Sequence, residues 1–360
     1  MSFDSLRLFN FRNLQDAVVS VDAPEVYLVG ENGQGKTNFL EGIYLLCFGS
    51  SFRTNKELEL IRYEESDMSV NGSYRSSGGE GYELSIKLQH REKKIFVDGK
   101  IVKDRKELLE KCPCIVFSHE DIGFVNGAPE RRRRFFNQTM SLNHPLFVDT
   151  LRRYNRIIKA RNAALKENNG GIVSVYDEQA ATIGMELQRA RQETIERFNR
   201  WFTPLFEEVS KLGVEVTIRY IPSWKKAEDV EGALAILENR RNFDYNLGVT
   251  STGPHRDRFV FIADERNFAA TASTGQLRLM SLVLKVSQAR FHAEVTGKLA
   301  IFLLDDVLLE LDAIRRRRFL SLLPIREQAF FTFLPDEHFD SYKSQDTLVY
   351  RINEGRVLST

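Results

Sequence analysis

Gly30-Glu31-Asn32-Gly33-Gln34-Gly35-Lys36-Thr37 follows an apolar run of β-formers, Val26 to Val29. After it, Phe39, Leu40, Ile43, Tyr44 and Leu46 recur at helical spacing. Strand, glycine loop and helix together form the frame in which G-x-x-x-x-G-K-[ST] binds phosphate. The continuous apolar run predicts a buried parallel strand, so the chain reads as α/β. Gly33 and Gly35 let the backbone curl so that its N–H groups converge on phosphate oxygens. The helix start adds partial positive charge. Lys36 can reach the β/γ-phosphates of ATP, and Thr37 can place its hydroxyl on Mg2+. Gly30, Glu31, Asn32, Gly33, Gln34, Gly35, Lys36 and Thr37 are thus the candidate ATP site. Arg12, near the start of the same region, is a candidate neighbour of the nucleotide; a solvated strand-end arginine explains it as well.

A second pattern completes a nucleotide site. Leu299-Ala300-Ile301-Phe302-Leu303-Leu304-Asp305-Asp306 is an apolar strand ending in two carboxylates. Asp305 is placed to hold Mg2+ directly or through water, and Asp306 to orient or deprotonate an attacking water. Lys36 and Asp306 are the catalytic candidates. Lys36 and Asp305 lie 269 positions apart, so a large insertion separates the two halves of the sheet. Shortly before that strand, Ser273-Thr274-Gly275-Gln276 opens an apolar helix. Ser273 is an N-cap candidate, Gly275 permits close backbone approach, and the helix start can take an anion. Phosphate loop, long insert, Ser-x-Gly-Gln and carboxylate strand follow one another as in ABC-type ATPases. In that class the signature loop of one subunit, here Ser273, Gly275 and Gln276, covers the phosphate held by the other. Glu310-Leu311-Asp312 stands where the class has its D-loop.

The 360 residues suit two lobes, and a net charge of +1 means that any nucleic-acid surface must be local. Cys47, Cys112 and Cys114 are too few and wrongly spaced for a metal framework and fit a reducing cytosol, hence a cytoplasmic chain. No apolar run approaches the roughly 18 residues of a membrane span. The segment 131–166 holds ten Lys/Arg against the single acid Asp149, a local net of +9. Arg131, Arg134, Arg152, Arg153, Arg156 and Lys159 are the candidate DNA contacts there, against the alternative of a solvated helix face. Phe135 and Phe136 read as core.

Residues 2–29 read as two strands. Met68–Arg75, Tyr82–Gln89, Lys93–Val97 and Ile115–Phe117 read as further strands, with turns at 76–81 and 98–99. Character changes near 118. Helical pattern runs from Glu130 to Lys166, breaks at Gly170-Gly171, and resumes until Pro204 interrupts it. Beyond lie a strand at Val214–Ile221, a short helix at Ala233–Asn242, and a strand at Phe259–Ile262. The division expected is residues 1–118 with 297–360 as an ATPase lobe, and 119–296 as a largely helical lobe.

These pieces resemble the RecF family. The resemblance rests on Phe11-Arg12-Asn13, the phosphate loop, Ser51-Phe52-Arg53-Thr54, Glu120-Asp121, and Gly127-Ala128-Pro129 with Arg131–Arg134. It continues through Thr252–Asp257, Ser273–Arg278, Leu303–Val307 and Glu310–Asp312, and so spans nearly the whole chain. It implies an ABC-type head without a long coiled coil, and a weak DNA-stimulated ATPase that acts as a dimerisation switch. It also implies binding to gapped or single-strand/double-strand junction DNA, work with RecR and RecO to load RecA, and roles in DNA replication, repair and the SOS response. His119, Arg258, Leu309 and Phe333 depart from the family pattern. The competing readings are an SMC-like structural head, a transporter ATPase subunit and a small-molecule kinase. Pro145, Gly170-Gly171, Pro204 and Pro222 interrupt the heptads the first would need. The second needs a membrane partner, and the third leaves Ser-x-Gly-Gln unexplained.

Overall fold

The computed structural model describes residues 2–76, 78–308 and 313–359. In chain order it begins with β1 (Ser2–Phe9), β2 (Ala17–Ser20), β3 (Glu25–Val29) and α1 (Lys36–Phe48). Next come β4 (Met68–Arg75), β5 (Gly81–Gln89), β6 (Glu92–Val97), β7 (Lys100–Ile101), α2 (Lys106–Lys111) and β8 (Cys114–Ser118). A helical stretch follows: α3 (Gly123–Asn126), α4 (Pro129–Asn143), α5 (Pro145–Lys166) and α6 (Gly170–Ser210). Then come β9 (Thr217–Ile221), α7 (Val230–Leu247), β10 (Arg258–Ala263), β11 (Arg266–Asn267), α8 (Phe268–Thr271) and α9 (Thr274–Thr296). The chain closes with β12 (Ile301–Asp305), α10 (Ala313–Leu322), β13 (Ala329–Phe333), β14 (Thr347–Asn353) and β15 (Arg356–Ser359). It divides into two compact units: 1–120 with 292–360, and 121–291.

The first unit contains two six-stranded sheets. One has the order β15-β14-β3-β13-β12-β8. Its four pairings from β14 to β8 are parallel, and β15 closes the edge as an antiparallel hairpin. β3, β12 and β13 are almost wholly buried, as parallel strands covered on both faces must be. β13 stands between the strand that feeds the phosphate loop and the strand that ends in Asp305. The other sheet is antiparallel, β2-β1-β4-β5-β6-β7, and alternates buried with exposed side chains. Residues 2–29 thus hold three strands rather than two. The extra one, β2, is a four-residue edge strand whose Val18 faces solvent, too short to show a clear period.

The second unit is helical around a small sheet, β11-β10-β9. Phe135 and Phe136 are core, packed against Phe198 and Phe259. One expected break occurs, at 167–169 between α5 and α6, and the other, at Pro204, does not. Gly170 and Gly171 are the first residues of α6, where N–H groups have no intrahelical partner anyway; Asn169 caps them by accepting the Ile172 N–H. Pro204 lies inside that 41-residue helix. An interior proline costs about 3 kcal/mol, but Phe198, Phe202, Leu205 and Phe206 around it are buried at 2 % exposure or less, and that burial holds the helix together. α7 is longer than expected: Asp229 caps its start and Gly248, in the left-handed region, ends it. β9 is shorter than Val214–Ile221, because only Thr217–Ile221 finds a partner on β10.

Arg161 shows why local charge misleads. Its side chain is fully buried, donating to Asp177 at 2.5 Å, Asp244 at 2.7 Å and Thr250 Oγ1 at 3.0 Å. It belongs to the +9 segment in sequence but to the core in structure, tying α5 to α6 and α7. Replacing it with Met leaves the Asp244 carboxylate buried without its cation. The expected loss is about 3–5 kcal/mol, read as a lower denaturant midpoint; a loss under about 1 kcal/mol would be incompatible with a fully desolvated pair.

Candidate functional site

The phosphate loop is built by steric necessity. A Cβ on Gly30 would lie 2.3 Å from the Ile352 carbonyl oxygen of β14, so only glycine fits beneath that strand. Gly35 has φ 120° and caps α1, and a Cβ there would meet Leu14 at 2.7 Å. The loop is braced on two sides. Gln34 accepts the Gly355 N–H at 3.1 Å from the turn between β14 and β15, and Gly33 accepts from Asn13 Nδ2 at 3.0 Å. Asn38 donates to Asn13 at 2.7 Å and accepts from Arg53 Nη1 at 2.6 Å. This bracing fixes the loop's N–H groups ahead of any ligand.

Lys36 is 4 % exposed, and its Nζ donates to the carbonyls of Gly30 at 2.7 Å and Glu31 at 3.1 Å. The ammonium thus bridges the loop's own carbonyls, with no anion beside it among the described residues. Thr37 Oγ1 donates to Asp305 Oδ1 at 2.8 Å, which brings together two groups 268 positions apart. Burial, with the neighbouring Asp306 adding to it and the Thr37 hydroxyl opposing, pushes the Asp305 carboxyl up to about 6. Asp305 has hydroxyl partners but no ion-pair partner among the described residues. A buried carboxylate short of counter-charge suits a divalent cation. Among the described residues no cluster of three or more His, Cys, Asp or Glu could hold a metal alone. An ion here would therefore need phosphate oxygens and water too, the usual manner of Mg2+. Thr37 and Asp305 would hold it, and it would neutralise charge on the phosphates.

Arg12, next to the Asn13 that braces the loop, is held by a carboxylate of α1. Its guanidinium makes two 2.8 Å bonds to Glu41, a fully buried carboxylate on α1. Ser51 donates to the same carboxylate, and Arg53 lies 3.6 Å from it. Glu41 was not singled out from the sequence. The available signal was an acid among the apolar residues of α1, with an arginine directly after a phenylalanine at both 11–12 and 52–53.

Ser273, Gly275 and Gln276 lie in the second unit. Ser273 Oγ accepts the Gln276 N–H at 3.3 Å, while Gln276 Oε1 accepts the Ser273 N–H at 2.7 Å. This reciprocal pair is a capping box that organises the start of α9. Ser273, Thr274 and Gly275 are exposed. Farther along α9, Lys285 pairs with Asp121 at 3.7 Å and Gln288 donates to Thr139 at 3.0 Å, anchoring the helix inside its unit. The D-loop candidates Glu310 and Asp312, with Leu309, lie outside the described residues.

Of the basic candidates, Arg131, Arg134, Arg153, Arg156 and Lys159 are exposed and carry no ion pair among the described residues. Arg152 is half-buried, 3.6 Å from Asp149. Arg132 and Arg133 turn inward to the Val125 and Asp257 carbonyls. Asp257 itself is buried and accepts from Arg191 at 2.7 Å, from Tyr220 and from the Ser223 N–H. His255, at the same turn, accepts from or donates to Tyr154 at 2.9 Å, and burial pushes its imidazole down to about 4. The turn 252–257 is thus a buried hub of the second unit.

A protein-family model described as the RecF/RecN/SMC N terminal domain matches residues 2–354. The DNA replication and repair protein RecF of Treponema pallidum (strain Nichols) is 42 % identical over 348 residues, 96 % of this chain and 98 % of that one. A solved structure of the recombination mediator protein RecF with ATP in the RecFOR pathway superposes with TM-score 0.90 at 28 % identity, covering 100 % of this chain and 99 % of that one. An SMC head bound to the C-winged helix domain of ScpA gives TM-score 0.59 at 15 % identity over 100 % and 97 %, a likeness of fold alone. The fold is that of an ABC-type ATPase head, with no long coiled coil among the described residues. With one family model spanning the two sheets and the helical unit alike, and 42 % identity along nearly its full length, the chain belongs to the RecF family.

Proposed function

We propose that this chain is an ATP-dependent DNA-binding recombination mediator for DNA repair and replication. ATP joins two copies, each offering its Ser273 helix start to the triphosphate held by the other, and hydrolysis releases them. The observation that carries this reading is the meeting of Lys36, Thr37, Asp305 and Asp306 at one end of the parallel sheet of the first unit, in a chain whose second unit carries an exposed, pre-capped Ser273. Such a chain holds half of each site, and a ligand that binds the dimer better than the monomer shifts the population to dimer. The relatives' names support a repair role, and the structure of a relative with ATP supports the nucleotide. RecR, RecO and, through them, RecA at gapped DNA are the partners this reading implies, with a consequent part in the SOS response. Sedimentation with and without Mg-ATP and gapped DNA tests it: a monomer with ATP and DNA both present would sink the switch.

DNA contacts fall on the exposed cations of α4 and α5. Reversing Arg153, Arg156 and Lys159 to Glu is expected to weaken duplex binding and flatten the log–log salt slope by up to about 0.9 per lost phosphate contact. Unaltered affinity and slope would move the DNA surface elsewhere.

A further inference from the structure

We infer that Thr332 is the positioning residue for Asp306, a role that rests on the nucleotide reading above. β13 reads Ala-Phe-Phe-Thr-Phe, and every member is buried. A hydroxyl in such surroundings must find partners. Thr332 finds them beyond the end of β12. Its Oγ1 accepts the Asp306 N–H at 2.8 Å and lies 3.0 Å from Asp306 Oδ1. Asp305 Oδ1 at 3.4 Å and the Leu304 carbonyl at 3.5 Å are longer, so the single hydroxyl proton goes to Asp306.

One side chain therefore ties both the backbone and the carboxylate of the same residue. Asp306 needs this. Its φ is 51°, the left-handed region that costs an L-residue roughly 1–2 kcal/mol. The register explains why Thr332 can supply the tie. Leu304 pairs with Phe331 across β12 and β13, which places Thr332 one step past the ladder, level with the two carboxylates. With Oδ1 held, Asp306 Oδ2 has no partner among the described residues and is left for a water. Thr37 on Asp305 and Thr332 on Asp306 thus assign the two adjacent acids different tasks. The first serves the cation, the second the nucleophile.

A threonine serving only to fill a buried strand would act independently of Asp306, and a double-mutant cycle separates the two cases. Mg-ATP turnover and ATP affinity are measured on the full chain carrying Thr332→Val, Thr332→Ser, Asp306→Asn, and Thr332→Val with Asp306→Asn. Thr332→Val is expected to lower kcat about 10- to 100-fold, with KM moving less than about threefold. Thr332→Ser restores kcat, and Thr332→Val adds no loss on top of Asp306→Asn. Wild-type turnover in Thr332→Val, or an equal further loss in the Asp306→Asn background, overturns the inference while leaving nucleotide binding intact. A wild-type chain that binds no ATP defeats the nucleotide reading and this inference together.

Discussion

Lys36→Ala is expected to abolish ATP-dependent dimerisation, and to do so without unfolding the chain. In the structure the ammonium is nearly inaccessible and, among the described residues, bonded only to the Gly30 and Glu31 carbonyls. Two neutral acceptors hold a charge less well than two phosphate oxygens, so the group is poised to exchange them when a triphosphate enters. Each charge-assisted bond is worth about 1.5–3 kcal/mol. Losing two should weaken ATP by roughly 10²- to 10⁴-fold. The unliganded fold should suffer little, because the loop is held independently through Gly355, Asn13 and Gln34. Calorimetric titration reads the affinity, and thermal unfolding supplies the control. ATP at a hundred times its Kd should stabilise the parent chain by about 2.7 kcal/mol and leave the variant unmoved. A variant that retains the ATP-induced shift and sediments as a dimer would remove Lys36 from the site.

Much of the first unit was legible because its signals are local. Glycine spacing, an apolar strand and a helical repeat lie within twenty residues of one another at the phosphate loop, and β3 and α1 fall where they predict. The strand that carries Asp305 to its end was equally plain, since a continuous apolar run closing on two acids marks a buried strand with a polar rim. What escaped were groups whose meaning depends on the register between strands. Thr332 reads as an ordinary β-former until β13 is set beside β12. Glu41 reads as a helix-surface acid until Arg12 folds onto it. Within the basic segment, too, tertiary partners sort the cations in a way that sequence spacing cannot. Ten cations in 36 positions suggest one surface, yet Arg161 is core, Arg132 and Arg133 hold backbone carbonyls, and Arg152 faces Asp149. The break expected at Pro204 follows from propensity, which aromatic burial around α6 overrides.

Ser273→Arg is expected to leave each copy able to bind ATP and unable to pair. The residue is exposed, so a large side chain meets no clash within the chain itself. It does lose a cap. Ser273 Oγ holds the Gln276 N–H, and removing an N-cap costs about 0.5–2 kcal/mol. That loss alone could loosen the start of α9 and mimic a defect in pairing. Ser273→Asp separates the two effects. Aspartate caps a helix as well as serine and favours the positive end of the helix dipole, so α9 should be as well ordered as before. Against a partner's triphosphate, however, its carboxylate is a like charge in a confined site, and pairing should fail as completely as with arginine. Both variants should titrate ATP within about threefold of the parent, since neither touches the loop that holds it. Sedimentation with Mg-ATP then gives a clear division. If Ser273→Asp dimerises while Ser273→Arg does not, the cap rather than the phosphate is what Ser273 serves, and the two-copy site is wrong. If neither dimerises and both still bind ATP, the helix start of one copy completes the nucleotide site of the other.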